Sequence, residues 1–284
     1  MKVMVLGANG QLGHCLADVL SGYPEIQFRL LDKSQFDIAD EAAYRKFDES
    51  GADVWINCAA YTKVDLAETH REEAFRINVT GPKLLGEYLA VRKIPVLHIS
   101  TDYIYGHSSR PIQEDDVIIP VNYYGQSKWE GEEALRHSGA RHIILRTSWL
   151  FSEYGHNFVK TMRRLANKHP EIKVVSDQIG SPTYAMDLAY AIVRIVQTIN
   201  AGNGIEWGTY NFANKGAVSW YDFACEILKD RDVKVLPIPT SSYPTPAKRP
   251  VYSVLDSTLF ENTFQWEIPD WKEALERCMV ILGQ

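Results

Sequence analysis

The chain has 284 residues, of which 45% are hydrophobic and 23% charged, a composition typical of a globular protein with one large or two small domains. The formal net charge of −6 argues against a nucleic-acid-binding protein and disfavours electrostatic adhesion to an anionic membrane. The four cysteines are scattered without metal-ligand spacing, and the apolar run after Met1 is too short for a signal peptide. We therefore expect a cytoplasmic protein with reduced thiols and no membrane segment.

The first half of the chain alternates strand-like and helix-like segments. Strands are predicted over residues 2–6, 26–31, 54–58, 96–100 and 142–146, and helices over 11–20, 41–49, 71–92 and 123–136. Apolar strands that alternate with helices form a parallel sheet that is covered on both faces. The sequence therefore predicts an α/β fold with a Rossmann-type, doubly wound parallel sheet.

After about Trp149 the pattern changes. We predict helices over 184–198, 220–228 and 270–282, the second capped by Ser219, together with a strand over 210–213 and a loop over 200–204. The Pro-rich stretch over 237–250 is predicted to be a plain surface connection, although it could also shape the rim of a pocket. Ligands of open α/β folds bind at the carboxyl ends of the strands, where this second half would lie. We therefore expect a dinucleotide-binding domain of residues 1–148 with 184–213, and a smaller C-terminal α/β substrate-binding lobe of residues 149–183 with 214–284.

A glycine turn joins the first strand to the first helix. Its spacing, G-x-x-G-x-x-G, lets the backbone turn sharply and lets a pyrophosphate approach the helix N-terminus. This unit is typical of a dinucleotide site and resembles that of the extended short-chain dehydrogenase/reductase superfamily. We assign the following residues of the turn to cofactor binding: Gly7, Asn9, Gly10, Gln11, Leu12 and Gly13.

Two residues after the second strand give opposite indications of the cofactor. Asp32 can bond the adenine-ribose hydroxyls, which favours NAD, whereas Lys33 can offset the 2′-phosphate of NADP. The choice between NAD(H) and NADP(H) therefore stays open. Small residues follow the third strand, and we expect Ala59, Ala60 and Tyr61 to lie beside the nicotinamide ribose.

The catalytic candidates lie on the predicted helix over 123–136 and at the end of the strand before it. Tyr124 and Lys128 are spaced i and i+4, so they share one helix face, and an ammonium beside a phenol favours the phenolate. Tyr124 would pass a proton, as general acid, to a ketone that is being reduced. Lys128 would also bind the nicotinamide ribose. Thr101 ends the upstream strand, where its hydroxyl can hydrogen-bond the substrate oxygen.

Seven motifs over nearly the whole chain resemble those of the dTDP-4-dehydrorhamnose reductases, a family of the extended short-chain superfamily. They are AAYTKVD at 59–65, STDY at 100–103, YYGQSK at 123–128, RTSW at 146–149, GHNF at 155–158, DQIGSPT at 177–183 and PTPAKRP at 244–250. The last two are more specific to this family than the first four. The resemblance implies NAD(P)H-dependent reduction of the C4 ketone of dTDP-4-dehydro-L-rhamnose to dTDP-L-rhamnose, a precursor of cell-surface polysaccharide.

The resemblance also implies roles for individual residues. Asp37 and Ile38 would lie at the adenine, and Arg249 would meet the nucleotide diphosphate, which suits a guanidinium fork. The residues that would line the sugar site or contact the substrate are Thr62, Val64, Thr101, Asp102, Tyr103 and Trp149. Some members of the family carry a glutamate after the third glycine for a metal site between subunits. Here His14 and Cys15 follow instead, so we predict no metal and leave a homodimer open.

Three other functions compete with this interpretation. A nucleotide-sugar epimerase shares the fold, and the sequence does not exclude it. A 4,6-dehydratase would carry Asp-Glu after the strand-end threonine, but Tyr103 stands in place of the glutamate. A non-catalytic regulatory subunit with a Rossmann fold, such as the partner of methionine adenosyltransferase, is disfavoured because Thr101, Tyr124 and Lys128 are all present.

Overall fold

The computed structural model describes residues 1–47, 51–106, 108–202 and 204–283. Its strands are β1 Lys2–Leu6, β2 Gln27–Leu31, β3 Val54–Asn57, β4 Val96–Thr101, β5 His142–Thr147, β6 Leu150–Phe151, β7 Glu171–Val175, β8 Ile179–Gly180, β9 Thr183–Tyr184, β10 Gly208–Asn211, β11 Val218–Ser219 and β12 Lys234–Ile238. Its helices are α1 Gln11–Ser21, α2 Glu41–Lys46, α3 Val64–Ala67, α4 Arg71–Phe75, α5 Gly81–Arg92, α6 Tyr123–His137, α7 Phe158–Ala166, α8 Ala185–Ala201, α9 Trp220–Ile227, α10 Thr258–Phe264 and α11 Trp271–Gly283. A π-helical turn spans Arg76–Thr80, and 3-10 turns span Asp102–Ile104 and Thr240–Ser242.

Six strands form one parallel sheet in the order β10-β5-β4-β3-β1-β2. The chain runs from β1 outward to β2 and then returns to the other side of β1 to form β3. The direction of winding therefore reverses between β1 and β3, and ligands of doubly wound folds bind in the crevice at such a reversal. The predicted fold class is confirmed, and each of the six predicted strands lies in this sheet with its ends within two residues of the prediction.

Alternate residues of β1 face opposite sides of the sheet. Val3 and Val5 pack with apolar side chains of α1 and α8, whereas Met4 and Leu6 pack in a second cluster with side chains of α5. Side chains alternate along a strand, so a run that is apolar on both faces marks a strand covered by helices on both sides. Burying each such side chain stabilises the fold by about 1.5–3 kcal/mol. Within the described ranges, no helix combines the length and apolar character needed to cross a bilayer.

A third hydrophobic cluster joins side chains from residues 151–184 and 218–278. Several of its elements were not predicted from the sequence, among them α7, β7 and β12. β12 pairs with β7 in parallel and contains Pro237, which an edge strand tolerates although proline cannot donate a ladder hydrogen bond. The prediction of a plain connection over 237–250 is therefore wrong for its first two residues. The exact division of the chain into two lobes stays a prediction.

Three of the other predicted segments differ from the structure. The predicted single helix over 71–92 is divided into α4, the π-helical turn and α5, because Pro82 has no N–H to donate to Asn78. The helix predicted over 41–49 ends at Lys46, since Phe47 is extended, and residues 48 and 49 lie outside the described residues. The loop predicted over 200–204 begins later because α8 runs to Ala201, and residue 203 lies outside the described residues.

The remaining predicted helices are confirmed to within three residues at each end. The cap on α9 is also confirmed, because the Asp222 N–H donates to the Ser219 hydroxyl at 3.0 Å. Such a cap satisfies one of the N–H groups that a helix N-terminus leaves without a partner.

Candidate active site

The glycine turn after β1 brings the ends of two strands together. Gly7 adopts φ +83°, and its N–H and that of Ala8 both donate to the Leu31 carbonyl. A Cβ at Gly7 would lie 2.7 Å from the Ala59 nitrogen, so only glycine allows β1 and β3 to approach this closely. Among the described residues, no side chain caps α1, which begins just after the turn. Its first N–H groups and positive dipole end are therefore available to a pyrophosphate.

A cavity of about 690 Å³ lies at the carboxyl ends of β1, β3 and β4. Most residues predicted for the cofactor and the substrate line it: Gly7, Asn9, Gly10, Gln11, Leu12, Gly13, Asp32, Lys33, Asp37, Ile38, Ala59, Ala60, Thr62, Val64, Thr101, Asp102, Tyr103, Tyr124, Lys128 and Trp149. One cavity therefore joins the glycine turn, which fits a pyrophosphate, to the Tyr–Lys pair, which suits proton transfer to a carbonyl oxygen.

Two predicted residues lie elsewhere. Tyr61 is 7% exposed in a hydrophobic cluster with Tyr124, and its N–H donates to Asn78 Oδ1. Arg249 lines a neighbouring cavity of about 450 Å³. Its Nη1 donates to Asp65 Oδ1 at 3.1 Å and its Nη2 to Asp65 Oδ2 at 2.9 Å. The predicted binding roles of Tyr61 and Arg249 stay predictions.

Asp32 is held by the turn that it begins. Its Oδ1 accepts from the Ser34 N–H at 2.8 Å and the Ser34 hydroxyl at 2.6 Å, and its Oδ2 accepts from Asn9 Nδ2 at 3.3 Å. The bond from the Ser34 hydroxyl, followed by one from the Gln35 N–H, does most to hold the pKa of the carboxyl below its usual range. Asp32 is therefore a fixed anion at the cavity wall, where it favours a hydroxyl donor, while the exposed Lys33 stands beside it.

The catalytic candidates are positioned by close packing of α6 against the 3-10 turn that follows β4. A Cβ at Gly125 would lie 2.0 Å from the Tyr103 carbonyl oxygen, so only glycine lets α6 lie this close to the backbone of Tyr103. Asn122 caps α6 by accepting the Gly125 N–H at 2.8 Å. This packing brings Tyr124, one residue before Gly125, into hydrogen-bonding contact with Thr101.

Burial shifts both members of the Tyr–Lys pair toward their neutral forms. It raises the pKa of Tyr124 to about 12, with the Thr101 hydrogen bond working against the shift and Asp102 adding to it. Burial also lowers the pKa of Lys128 to about 8, against the opposing influence of the Glu132 carboxylate first and of Cys58 second. The expectation that Lys128 would favour the phenolate is therefore wrong for this structure, because desolvation outweighs it. Tyr124 instead carries its proton at neutral pH, as a general acid must.

Asp102 lies beside this pair. It is 1% exposed, and its Oδ1 accepts from the Thr101 hydroxyl at 3.1 Å. Burial raises the pKa of Asp102 to about 7, while hydrogen bonds from Ser253 and Thr101 work against the shift. A carboxyl with this pKa can donate or accept a hydrogen bond near neutral pH.

Trp149 lines the cavity from the second half of the chain. It adopts φ +45°, and its ring stacks on that of Trp220 with centroids 3.4 Å apart. A non-glycine residue in this conformation costs on the order of 1–3 kcal/mol, and such strain clusters at functional sites. Trp149 therefore packs against Trp220 and also faces the cavity, where the predicted substrate contact stays a prediction.

The sequence-based prediction missed several residues of the cavity and its supports. Gly155 and His156 line it, and Gln11 ties the glycine turn to the same loop by accepting from Ser152 Oγ at 3.0 Å and Asn157 Nδ2 at 2.8 Å. The GHNF motif at 155–158 includes these two cavity residues, but it contributed only to the family resemblance, and its residues were assigned no function. His98, which lies behind Lys128, was also missed because it stands within an apolar strand.

The fold and the site define a Rossmann-type reductase with a strand-end threonine and a Tyr–Lys pair, as in the extended short-chain dehydrogenases. A family model described as the RmlD substrate binding domain matches residues 1–283. A curated dTDP-4-dehydrorhamnose reductase from Aggregatibacter actinomycetemcomitans is 41% identical over 97% of each chain. The chain therefore belongs to the dTDP-4-dehydrorhamnose reductase family.

Solved structures agree with this assignment. The crystal structure of a dTDP-4-dehydrorhamnose reductase from Clostridium acetobutylicum is 40% identical, covers 100% of both chains and superimposes with a TM-score of 0.94. A dTDP-4-dehydrorhamnose reductase from Bacillus anthracis in complex with NADP is 36% identical, covers 99% of both chains and gives a TM-score of 0.90.

Proposed function

We propose that this protein reduces the C4 ketone of dTDP-4-dehydro-L-rhamnose to dTDP-L-rhamnose with NADPH or NADH, in the synthesis of a polysaccharide precursor. The observation that carries the proposal is the single cavity that joins the glycine turn to Thr101, Tyr124 and Lys128. Two relatives that match over nearly their full length, at 41% and 40% identity, are named dTDP-4-dehydrorhamnose reductase, which supports this substrate over those of epimerases and dehydratases.

Different residues along the cavity bind the cofactor, orient the substrate and transfer the proton. When bound, the nicotinamide dinucleotide supplies the hydride. The first N–H groups of α1 bind the pyrophosphate, and the small residues Ala59 and Ala60 let the backbone approach the nicotinamide ribose. The Thr101 hydroxyl, which donates to Asp102 in the structure, turns its one proton to the substrate oxygen as negative charge develops there. Tyr124, which holds its proton at neutral pH, transfers that proton to the oxygen, and the C4 ketone becomes a hydroxyl.

The substrate would occupy the part of the cavity beyond Tyr124. We assign to it the side chains there that line the cavity, which are Thr62, Val64, Asp102, Tyr103 and Trp149. We assign the nucleotide diphosphate to Arg249, whose loop lies next to the cavity and whose guanidinium fork suits phosphate oxygens. In the structure the Arg249 guanidinium donates to both carboxylate oxygens of Asp65, and on binding the diphosphate oxygens would replace them as acceptors.

The test is nicotinamide oxidation by the purified protein with dTDP-4-dehydro-L-rhamnose, with NADPH and NADH run in parallel. We expect dTDP-L-rhamnose as the product with at least one of the two cofactors. Tyr124→Phe should abolish turnover while cofactor binding is retained, because only the acidic proton is removed. Tyr123→Phe is the matched control, since that ring lies on the same helix against the Arg71 guanidinium. No oxidation with either cofactor, in protein shown to bind one, would refute the proposal.

We also propose a cytoplasmic location, because all four cysteines are free thiols and reduced thiols are typical of that compartment. Cell fractionation tests this location. The sequence leaves a homodimer open, and light scattering of the purified protein tests whether one forms.

A further inference from the structure

Two buried polar side chains behind Lys128 have no part in the reaction described above. His98 of β4 is 1% exposed, and Asn57 at the end of β3 is fully buried. The two side chains form a line that ends at the catalytic candidate. Asn57 Nδ2 lies 2.9 Å from His98 Nδ1, and His98 Nε2 lies 3.4 Å from Lys128 Nζ.

The backbone fixes which way this line is polarised. The Ala59 N–H donates to Asn57 Oδ1 at 3.0 Å, so the amide group of Asn57 turns its Nδ2 toward His98. The Nδ2 group is a donor, and His98 Nδ1 must therefore accept. Burial, with the charge of Lys128, holds the pKa of His98 well below its usual range, so the ring is neutral and carries one proton. That proton is on Nε2, because Nδ1 is the acceptor.

The Nε2–H of His98 consequently points at Lys128. An ammonium group has three donors and no acceptor, so it cannot receive this hydrogen bond, whereas a neutral amine can receive it through its lone pair. Lys128 Nζ also has an acceptor of its own, the Ile99 carbonyl oxygen at 2.7 Å. The arrangement therefore offers the neutral amine both a donor and an acceptor, and offers the ammonium a repulsive contact.

We propose that Asn57 and His98 are positioning residues that hold Lys128 Nζ in place and favour its neutral amine. The inference rests on the proposed function, in which Lys128 serves Tyr124. Charged and titratable groups from the surrounding elements also influence the protonation of Lys128 and of His98. Glu132 and Cys58 favour the ammonium of Lys128, whereas His142 and Arg136 disfavour a charge on His98. Burial prevails over the first pair and brings the pKa of Lys128 to about 8.

This state of Lys128 matters once Tyr124 has given its proton to the substrate. The Lys128 ammonium lies one helical turn away on the same helix, and the loss of its proton would leave an amine that accepts the His98 Nε2–H. Solvent returns a proton to the amine before the next turnover. A lysine whose pKa is lowered gives up its proton more readily than a lysine of ordinary pKa.

Nuclear magnetic resonance of the ligand-free, full-length protein tests the proposal without measuring turnover. Long-range ¹⁵N–¹H spectra of protein labelled in histidine distinguish the two neutral tautomers, and we expect the Nε2–H form for His98. A pH titration of ¹³Cε-labelled lysine should give a pKa for Lys128 near the value of about 8. Spectra of His98→Gln and Lys128→Met assign the two signals.

Three variants separate the hydrogen-bond pattern from simple burial. Asn57→Asp keeps the bond from Ala59 but presents an acceptor to Nδ1, so the tautomer should switch and the pKa of Lys128 should rise by about one unit or more. His98→Leu removes the donor and should also raise that pKa. His98→Gln can accept from Asn57 and still donate to Lys128, so it should restore the wild-type value.

The wild-type spectra decide the proposal even where a variant fails to fold. An Nδ1–H or doubly protonated His98, or a Lys128 that titrates like an exposed lysine, would overturn it. Equal lysine titrations in His98→Leu and wild type would overturn it as well. None of these results bears on the proposed reductase activity, which nicotinamide oxidation measures separately.

Discussion

Glu132 lies on α6 with its side chain fully buried between two guanidinium groups. Its Oε2 accepts from Arg146 Nη2 at 2.7 Å and from Arg136 Nη2 at 2.8 Å, and its Oε1 accepts from Arg146 Nε at 3.1 Å. Arg146 is itself 1% exposed, so this carboxylate is its counter-charge. Replacing Glu132 by glutamine keeps the size of the side chain but removes the charge and turns an NH₂ group toward guanidinium donors.

The expected loss of stability follows from these contacts. Glu132→Gln gives up two charge-assisted hydrogen bonds, which contribute about 1.5–3 kcal/mol each. These bonds belong to the ion pairs with Arg146 and Arg136, so the same loss can be counted as one broken buried ion pair, which costs about 3–5 kcal/mol in total. We therefore expect the free energy of unfolding to fall by about 3–5 kcal/mol.

Urea unfolding followed by circular dichroism measures this loss, and Glu133→Gln is its matched control. Glu133 pairs with the same Arg136 through Nη1 at 2.6 Å, but its side chain is 37% exposed, so its removal should cost less than about 1 kcal/mol. The reasoning is refuted if both variants lose the same stability.

The loss should also depend on pH. The Glu132 carboxylate is buried, but Arg146 and Arg136 hold its pKa below the ordinary value of 4.5. A depressed pKa contributes stability that is complete above the unfolded value and is lost as the pH falls through the folded value. The difference between wild type and Glu132→Gln should therefore be constant near neutral pH and shrink below about pH 4.5.

Three further substitutions have defined outcomes. Gly125→Ala places a Cβ 2.0 Å from the Tyr103 carbonyl oxygen. It should lower kcat about 100-fold while the circular dichroism spectrum is retained, since it misplaces Tyr124. Gly22→Ala, at φ −80°, should leave kcat unchanged. Asp32→Ser removes a fixed anion from the cavity wall and should raise the ratio of kcat/KM for NADPH over NADH about tenfold; an unchanged ratio would contradict the assignment of Asp32. Arg249→Gln should raise the KM for substrate more than Asp65→Asn does, whereas equal effects would show that Arg249 only holds its loop.

Local patterns in the sequence determined the fold class and the core of the site. An apolar run, glycines at fixed spacing and a helical pattern together predict a strand, a turn and α1, because each depends on neighbours along the chain. The i and i+4 spacing likewise places Tyr124 and Lys128 on one helix face in any helix. The alternation of apolar strands with helices along the chain likewise predicts a parallel sheet, since sheet faces that are buried under helices must be apolar.

The tertiary structure alone decided the protonation states and the long-range pairs. Desolvation sets the pKa of Tyr124 and Lys128, and desolvation depends on how deeply α6 packs against β4. Asn57 meets His98 and Asp65 meets Arg249 across 41 and 184 residues of sequence. Helical and strand periods relate only residues that are close along the chain. Burial and contact between distant residues are fixed by packing, and the local pattern of the sequence carries no record of them.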